Sequence, residues 1–220
     1  MWKFGALGLA ILLVGCRGES DIAGRPLEHW LQALKDQNPK VRREAATTMG
    51  KAGARAKGAV PDLAAALKDS DDGVRIQATN ALWSMSGDAA GAVPELTAAL
   101  KDKNAEVRLN AAGALGEMGS SASPAVAELA EALKDEKADV RDTAAKALGK
   151  LGPLAKATVP ALTLALKDRD KNVRVRVAYA LASMGADAQE AVPNLRVLLK
   201  EKDGNVRGAA AFALDKIQAK

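Results

Sequence analysis

Residues 107–119, VRLNAAGALGEMG, begin with a Val-Arg pair that recurs along the chain. Steps of 33 residues separate its six occurrences, which start at residues 41, 74, 107, 140, 173 and 206. A fixed period of this length indicates a repeat array, in which each copy buries its apolar side chains against its neighbours. We therefore expect an extended surface without a closed catalytic pocket.

Two further motifs keep the same register and predict two helices in each copy. Leu-Lys-Asp recurs from residue 34 onward, with Glu201 replacing the last aspartate, and a Val-Pro pair opens most first helices, where proline is tolerated. The polar turn at residues 69–72 offers N-cap oxygens to the second helix. Glycines are predicted to end the second helices, at Gly87 and, one place earlier in other copies, at Gly53, Gly119, Gly152 and Gly185.

This second helix, with its pattern V-R-x-x-A-A-x-A-L-G-x-x-G, resembles the short HEAT-like repeats named after phycobilisome lyases. The resemblance covers residues 26–220 in six copies. It implies an all-α superhelix, a solenoid of six two-helix repeats of 33 residues, with the second helices lining a concave surface. Ankyrin repeats share the period but carry T-P-L-H, and tetratricopeptide repeats need large aromatic residues, and neither pattern occurs here.

The first residues are of a different kind. Lys3 precedes an apolar run, residues 4–14, that is too short to span a bilayer comfortably and is typical of a secretion signal. Residues 13–16, Leu-Val-Gly-Cys, resemble the bacterial lipobox, whose cysteine receives a diacylglyceryl group before cleavage. The alternative is an incidental thiol after a generic signal peptide, since a single cysteine cannot form an internal disulfide.

The lipobox resemblance implies a signal peptide at residues 1–15, a lipidated Cys16 with a short tether at residues 16–25, and the repeats at residues 26–220. The mature chain would be an extracytoplasmic lipoprotein held at a bacterial membrane. Arg17 follows the cysteine, whereas an aspartate there often retains Gram-negative lipoproteins at the inner membrane. The outer membrane, facing the periplasm, is therefore favoured for a Gram-negative host.

Composition supports a helical body built from small side chains. Apolar residues make up 48% of the chain but aromatic residues only 3%, so alanine, leucine, valine and methionine must form the core. The net charge is +5, with acidic and basic residues interleaved. This pattern predicts a mixed solvated surface without a nucleic-acid-binding stripe, and leaves open a weak preference for acidic partners or anionic head groups.

Each copy places an acid at the turn between its helices and an arginine just inside the second helix. Because every copy has this arrangement, we interpret it as an architectural ladder that ties turn to turn between successive copies, and not as a row of acid and base groups. The pairs are Asp36 and Arg42, Asp69 and Arg75, Asp102 and Arg108, Asp135 and Arg141, Asp168 and Arg174, and Glu201 and Arg207.

Functional positions are expected where the copies differ. Counting from the valine of each Val-Arg pair, the third, seventh and tenth residues of the second helix lie roughly opposite its buried stripe. Apolar and aromatic residues there would form an exposed patch suited to binding. The predicted binding residues on the concave face are Ile76, Asn80, Trp83, Leu109, Lys146, Val175, Arg176 and Tyr179.

Three individual residues need separate interpretation. Trp83 stands where four other copies have glycine or alanine, so it is either a binding anchor or a filler between neighbouring second helices. Residues at equivalent positions of successive copies form a column, and Trp30 shares its column with five leucines. It is therefore expected in the core. His29 is the only histidine and is expected at the surface, with no second histidine or nearby cysteine to bind a metal.

No catalytic constellation emerges from the sequence, so no cofactor and no enzymatic activity are expected. The leading hypothesis is a lipid-anchored scaffold that binds a protein or peptide on its concave face. A relative of the bilin lyases, acting on a tetrapyrrole-carrying protein, is the enzyme alternative. Nucleic-acid binding, as in HEAT-like glycosylases, is opposed by the export signal and the mixed charge.

Overall fold

The computed structural model describes residues 21–219, which form twelve α-helices and a two-stranded hairpin. Helices alternate between an outer layer, with odd numbers, and an inner layer, with even numbers. The outer helices are α1 (Leu27–Ala33), α3 (Val60–Ala66), α5 (Val93–Ala99), α7 (Val126–Ala132), α9 (Val159–Ala165) and α11 (Val192–Leu198). The inner helices are α2 (Pro39–Ala52), α4 (Asp72–Met85), α6 (Ala105–Glu117), α8 (Ala138–Leu151), α10 (Lys171–Met184) and α12 (Gly204–Gln218).

Six outer–inner pairs stack in chain order, so the predicted all-α solenoid of six repeats is confirmed. One continuous core runs through the stack and is made mostly of alanine, leucine and valine. The first-helix leucines Leu63, Leu96, Leu129, Leu162 and Leu195 have no exposed surface, and Trp30, in the same column, is 9% exposed. Trp30 is therefore a core residue, as predicted.

Helix starts follow from local chemistry. Asn38, Asp71, Asn104, Asp170 and Asp203 each accept a backbone N–H of the inner helix that follows, which satisfies an otherwise orphaned donor. Inner helix α8 is the exception, because its N-cap residue is a lysine without a capping bond.

Short 3-10 segments connect each inner helix to the next outer helix, which the two-helix prediction did not include. They span Gly53–Ala59, Ser86–Ala92, Gly119–Ala125, Gly152–Thr158 and Gly185–Ala191. Four of them begin at a glycine with a φ angle of 53 to 56°. In the second copy Ser86 occupies this left-handed position with a φ of 50°, so the prediction that Gly87 ends α4 was wrong by one residue.

The inner helices lie very close together. A Cβ added at Gly50, Gly116 or Gly149 would come within 2.9 to 3.0 Å of the Cα of an alanine in the next inner helix. The 3-10 segments pack between successive outer helices, whereas successive inner helices pack directly on each other. The array therefore curves with its inner helices on the concave side.

A small hairpin closes the N-terminal end of the stack. Its strands β1 (Asp21–Ile22) and β2 (Arg25–Pro26) pair antiparallel, and Ile22 is 1% exposed. The indole N–H of Trp30 donates to the carbonyl of Ile22 at 2.8 Å. Residues 21–25 were predicted to belong to a tether, but they lie in this hairpin, which packs on the first repeat through Ile22. The predicted signal peptide and Cys16 lie outside the described residues.

Candidate functional site

The Asp and Arg columns form a ladder that crosses from one copy to the next. Arg108 donates from Nε and Nη2 to the two carboxylate oxygens of Asp135, at 2.6 and 2.9 Å. Its Nη1 donates at 2.8 Å to the backbone carbonyl of Asp102 in its own copy. The same bidentate arrangement joins Arg42 to Asp69, Arg75 to Asp102 and Arg141 to Asp168.

Each acid in the ladder also organises its own turn. Asp135, for example, accepts the backbone N–H of Lys137 at 2.9 Å while it binds Arg108. Burial raises the pKa of the Asp135 carboxyl, but the hydrogen bonds from Arg108 and from the backbone more than offset this and hold that pKa below its usual value. The carboxylate is therefore kept charged as a structural linker between neighbouring copies.

The ladder weakens toward its C-terminal end. Glu201, which is one methylene longer than aspartate, accepts from Arg174 Nη2 at 3.4 Å, and the buried Nε of Arg174 has no partner within residues 21–219. Arg207 is exposed and donates to the carbonyls of Glu201 and Lys202. At the other end, the Asp36 carboxylate accepts the N–H of Asn38. The rungs from Arg42 to Arg174 each link the turn of one copy to the turn of the next and so belong to the frame of the array.

On the concave side, four of the predicted binding residues line adjoining depressions across α4, α6, α8 and α10. We refer to this surface as the central groove. Its depressions have volumes of about 110 and 180 Å³, which is small for enclosing a drug-sized ligand but compatible with side chains of an extended segment. Its principal side chains are Trp83, Glu117, Asp142, Lys146, Lys150, Arg176 and Tyr179.

Trp83 is partly a packing residue and partly a wall of the groove. Its ring lies so close to Gly113 of α6 that a Cβ added there would be 2.6 Å from Trp83 Cζ2. The absence of a side chain at residue 113 therefore makes room for the indole, which is half-buried. Both readings of Trp83 thus have a physical basis, since one part of the ring contacts α6 and another part lines the groove.

Charged residues in the groove are mostly paired with each other. Lys150 binds Glu117, and this hydrogen bond, with a smaller contribution from the Trp83 indole, lowers the pKa of the Glu117 carboxyl. Arg176 contacts Asp142 at 3.2 Å. Lys146 is exposed and makes no ion pair within residues 21–219. It is the cation in the groove that is most available to a ligand carboxylate.

The remaining predicted residues are less exposed or lie apart from the groove. Ile76 and Val175 are half-buried and pack on the core, and Leu109 is also half-buried, so these three do not form the exposed apolar patch that the sequence suggested. Asn80 lines a separate depression of about 270 Å³ between α2 and α4. Tyr179 is 42% exposed and its ring lies 5.5 Å from that of Phe212.

Other surfaces were missed by the sequence reasoning. On the outer layer, Leu164 and Val197 are 69% and 67% exposed, and they share one helix column that holds alanine or a polar residue in the other copies. A cleft of about 660 Å³ lies under the hairpin beside α1 and α2, where His29 is exposed and accepts from Arg25 at 2.9 Å. Comparing copies column by column would have identified both outer-layer residues.

The described residues provide no group of three or more histidine, cysteine, aspartate or glutamate side chains arranged to hold a metal ion. No helix within residues 21–219 combines the length and apolar character needed to cross a bilayer. The side chains that line the groove offer hydrogen bonding, ion pairing and aromatic contact.

Comparison with known proteins agrees with this architecture. An engineered protein solved by the Northeast Structural Genomics Consortium superposes with a TM-score of 0.73 at 25% identity, over 87% of this chain and 96% of that one. A computationally designed armadillo repeat protein for modular peptide recognition gives a TM-score of 0.71 at 20% identity, over 86% and 99%. No curated protein matches the chain. The model for HEAT repeats matches residues 27–93, 93–163 and 159–220, and the chain therefore belongs to the HEAT repeat family.

Proposed function

We propose that this protein is a membrane-anchored scaffold, acting outside the cytoplasm, that holds a protein or peptide segment in its central groove. The observation that carries the proposal is that the ladder positions are constant between copies, whereas the groove positions vary. The ladder residues repeat in every copy, whereas the groove positions change from copy to copy and combine an aromatic ring, an unpaired cation and paired charges. Such variation on a constant frame is what selective recognition requires.

The groove chemistry favours an extended segment with acidic and apolar side chains. Lys146 offers an exposed cation that makes no ion pair within residues 21–219, although the Glu117 carboxylate lies close enough to feel its charge, and Tyr179 offers an exposed aromatic face nearby. Three basic side chains face two acidic ones in this groove, which gives a small positive excess. Aromatic anchors and charge-assisted hydrogen bonds are the usual sources of affinity at such surfaces.

The membrane part of the proposal rests on the lipobox-like residues 13–16. If Cys16 carries a lipid, only residues 17–20 separate it from the hairpin, and this length reaches about 14 Å when extended. The partner would then be engaged close to the bilayer surface. The proposed role is to hold a partner, which the charged and aromatic side chains of the central groove support.

The groove is tested by pull-down from detergent-solubilised envelope with the full chain as bait. A variant with Lys146→Glu and Tyr179→Ala is expected to lose a defined partner that the unchanged chain retains, because both substitutions remove groove contacts at exposed positions. Lys167→Glu with Leu164→Ala, on the outer layer, is the matched control and should retain it. Equal recovery with all three baits would contradict the proposal, and recovery of a chromophore-bearing protein would favour the lyase alternative.

The anchor is tested separately by metabolic labelling with an alkynyl fatty acid. The unchanged chain is expected to carry the label and to fractionate with membranes, and Cys16→Ser to lose the label. A chain that reaches the envelope without any label would remove the lipid anchor from the proposal while leaving the groove unaffected.

A further inference from the structure

The C-terminal end of the stack exposes, fully or in part, the apolar side chains Leu199, Ala211 and Leu214, whose counterparts are buried in every upstream copy. We call this surface the C-terminal face, formed by Leu199, Arg207, Ala211, Leu214 and Asp215. Leu199 is 39% exposed, whereas the leucines in its column are at most 6% exposed in the other copies. Ala211 is exposed and Leu214 half-buried, in columns where the upstream residues are fully buried.

In the upstream copies, the equivalent apolar side chains are buried because the next copy packs on them. Within residues 21–219 nothing packs on the C-terminal face, yet its side chains have kept the apolar character of an internal stacking surface. Exposed apolar surfaces of this kind tend to associate.

The N-terminal end is built differently. The hairpin occupies space that a preceding copy would need, with Ile22 buried against Trp30. Thr48, half-exposed, stands in a column that holds alanine in the other five copies, and exposed charged residues such as Arg25 surround it. The N-terminal end is therefore a poor surface for the C-terminal face of another chain, which argues against head-to-tail assembly.

The charges on α12 are instead arranged so that they could pair with those of a second, antiparallel α12 related by a two-fold axis. Arg207, Ala211 and Asp215 are spaced four residues apart and share one ridge of the helix, with a cation on one side of the alanine and an anion on the other. Gly208, on the same side, has open space around it, so a second backbone can approach closely. A two-fold axis at Ala211 would place Arg207 of one chain opposite Asp215 of the other, twice.

We propose that a second copy of this chain covers the C-terminal face, forming an end-to-end two-fold dimer through antiparallel α12 helices. The contact would bury Leu199, Ala211 and Leu214 and would give Arg207 the carboxylate that the last rung of the ladder lacks. The interface is isologous, so it closes at two copies and does not continue into a filament. The dimer joins the concave surfaces of two arrays and is independent of what the central groove binds.

The test is the oligomeric state of the purified full chain in mild detergent, measured by light scattering during size-exclusion chromatography with the detergent mass subtracted. A dimer is expected at micromolar concentration. Arg207→Asp and Asp215→Arg should each weaken the dimer at least about tenfold, because like charges then face each other at two places. Combining the two substitutions should restore the dimer, since the pair is re-formed with its signs exchanged.

Two further variants separate association from folding. Ala211→Arg places a bulky charge on the proposed axis at a residue that is exposed in one chain, so a monomer with an unchanged melting curve is expected. Glu190→Lys, at an exposed position of the outer layer, should leave the dimer intact. Three outcomes would each overturn the proposal: an unchanged chain that is monomeric, a doubly charge-exchanged variant that stays monomeric, or open-ended higher assemblies.

Discussion

The boundary between the second and third copies and the boundary between the third and fourth are built from the same ladder but from different concave contacts. Arg75 and Arg108 make equivalent bidentate bonds across the two boundaries. On the concave side, the first boundary packs Trp83 on Gly113, whereas the second packs Gly116 directly against the backbone of Ala147. The stack therefore accommodates a large side chain such as Trp83 at one position of an inner helix when the residue that it faces in the next helix is small.

The largest expected effect on stability comes from removing one arginine of the ladder. Arg75→Ala and Arg108→Ala should each lower the free energy of unfolding by about 3 kcal/mol, because a largely buried aspartate loses its partner. Arg55→Ala, at an exposed position that makes no ion pair within residues 21–219, is the control and should cost about 1 kcal/mol or less. Urea melts followed by circular dichroism would measure all three. Unequal losses for Arg75 and Arg108 would mean that the two boundaries do not share one frame.

An intermediate effect is expected from adding a methyl group at the two glycines. Gly116→Ala should cost about 1 to 3 kcal/mol, because the new Cβ would meet the Ala147 backbone and only the helices could move. Gly113→Ala should be costly with Trp83 present but tolerated in a Trp83→Ala background. Gly208→Ala, where space is open within one chain, should gain up to about 1 kcal/mol through helix propensity in the monomeric Ala211→Arg background.

A thermodynamic cycle of Gly113→Ala and Trp83→Ala measures how strongly those two positions depend on each other. Additive free energies would show that the indole does not rest on residue 113, and the contrast between the boundaries would then be lost.

The smallest expected effect concerns the end of α4. Ser86 holds a left-handed conformation that costs a residue with a Cβ about 1 kcal/mol, and four other copies have glycine there. Ser86→Gly should therefore raise the free energy of unfolding by about 1 kcal/mol, with a melting temperature higher by a few degrees. Gly119→Ser is the reciprocal change and should lower stability by a similar amount. A melting temperature unchanged by both would argue that no strain is stored at this turn.

The period of 33 residues predicted a repeat array, the motifs within it predicted two helices in each copy and the core position of Trp30, and the family resemblance added the solenoid. Repetition made this possible because it aligns equivalent residues without any knowledge of distance. Contacts between copies were harder to predict. The sequence places Asp102 six residues before Arg108, yet the carboxylate that Arg108 binds is Asp135 of the next copy. Only the stacking distance between turns decides which acid is reached.

The concave side was predicted less well for a related reason. Helical periodicity places Ile76, Leu109 and Val175 away from the buried stripe of their own helix, but neighbouring inner helices cover part of that side. The hairpin and the 3-10 segments were also missed, since the short strand pair at residues 21–26 and the glycine-led connections carry little periodicity. Lys146, Arg176 and Tyr179 were expected on one surface and do line a common depression.

The ion pairs between successive copies bear on how the number of copies can change. Each interior copy presents a carboxylate to the copy before it and a guanidinium to the copy after it. An in-frame duplication of residues 87–119 would insert 33 residues that meet the same partners on both sides. The array can therefore gain a unit in this way while both neighbouring rungs are kept, so its length can change separately from the side chains of the central groove.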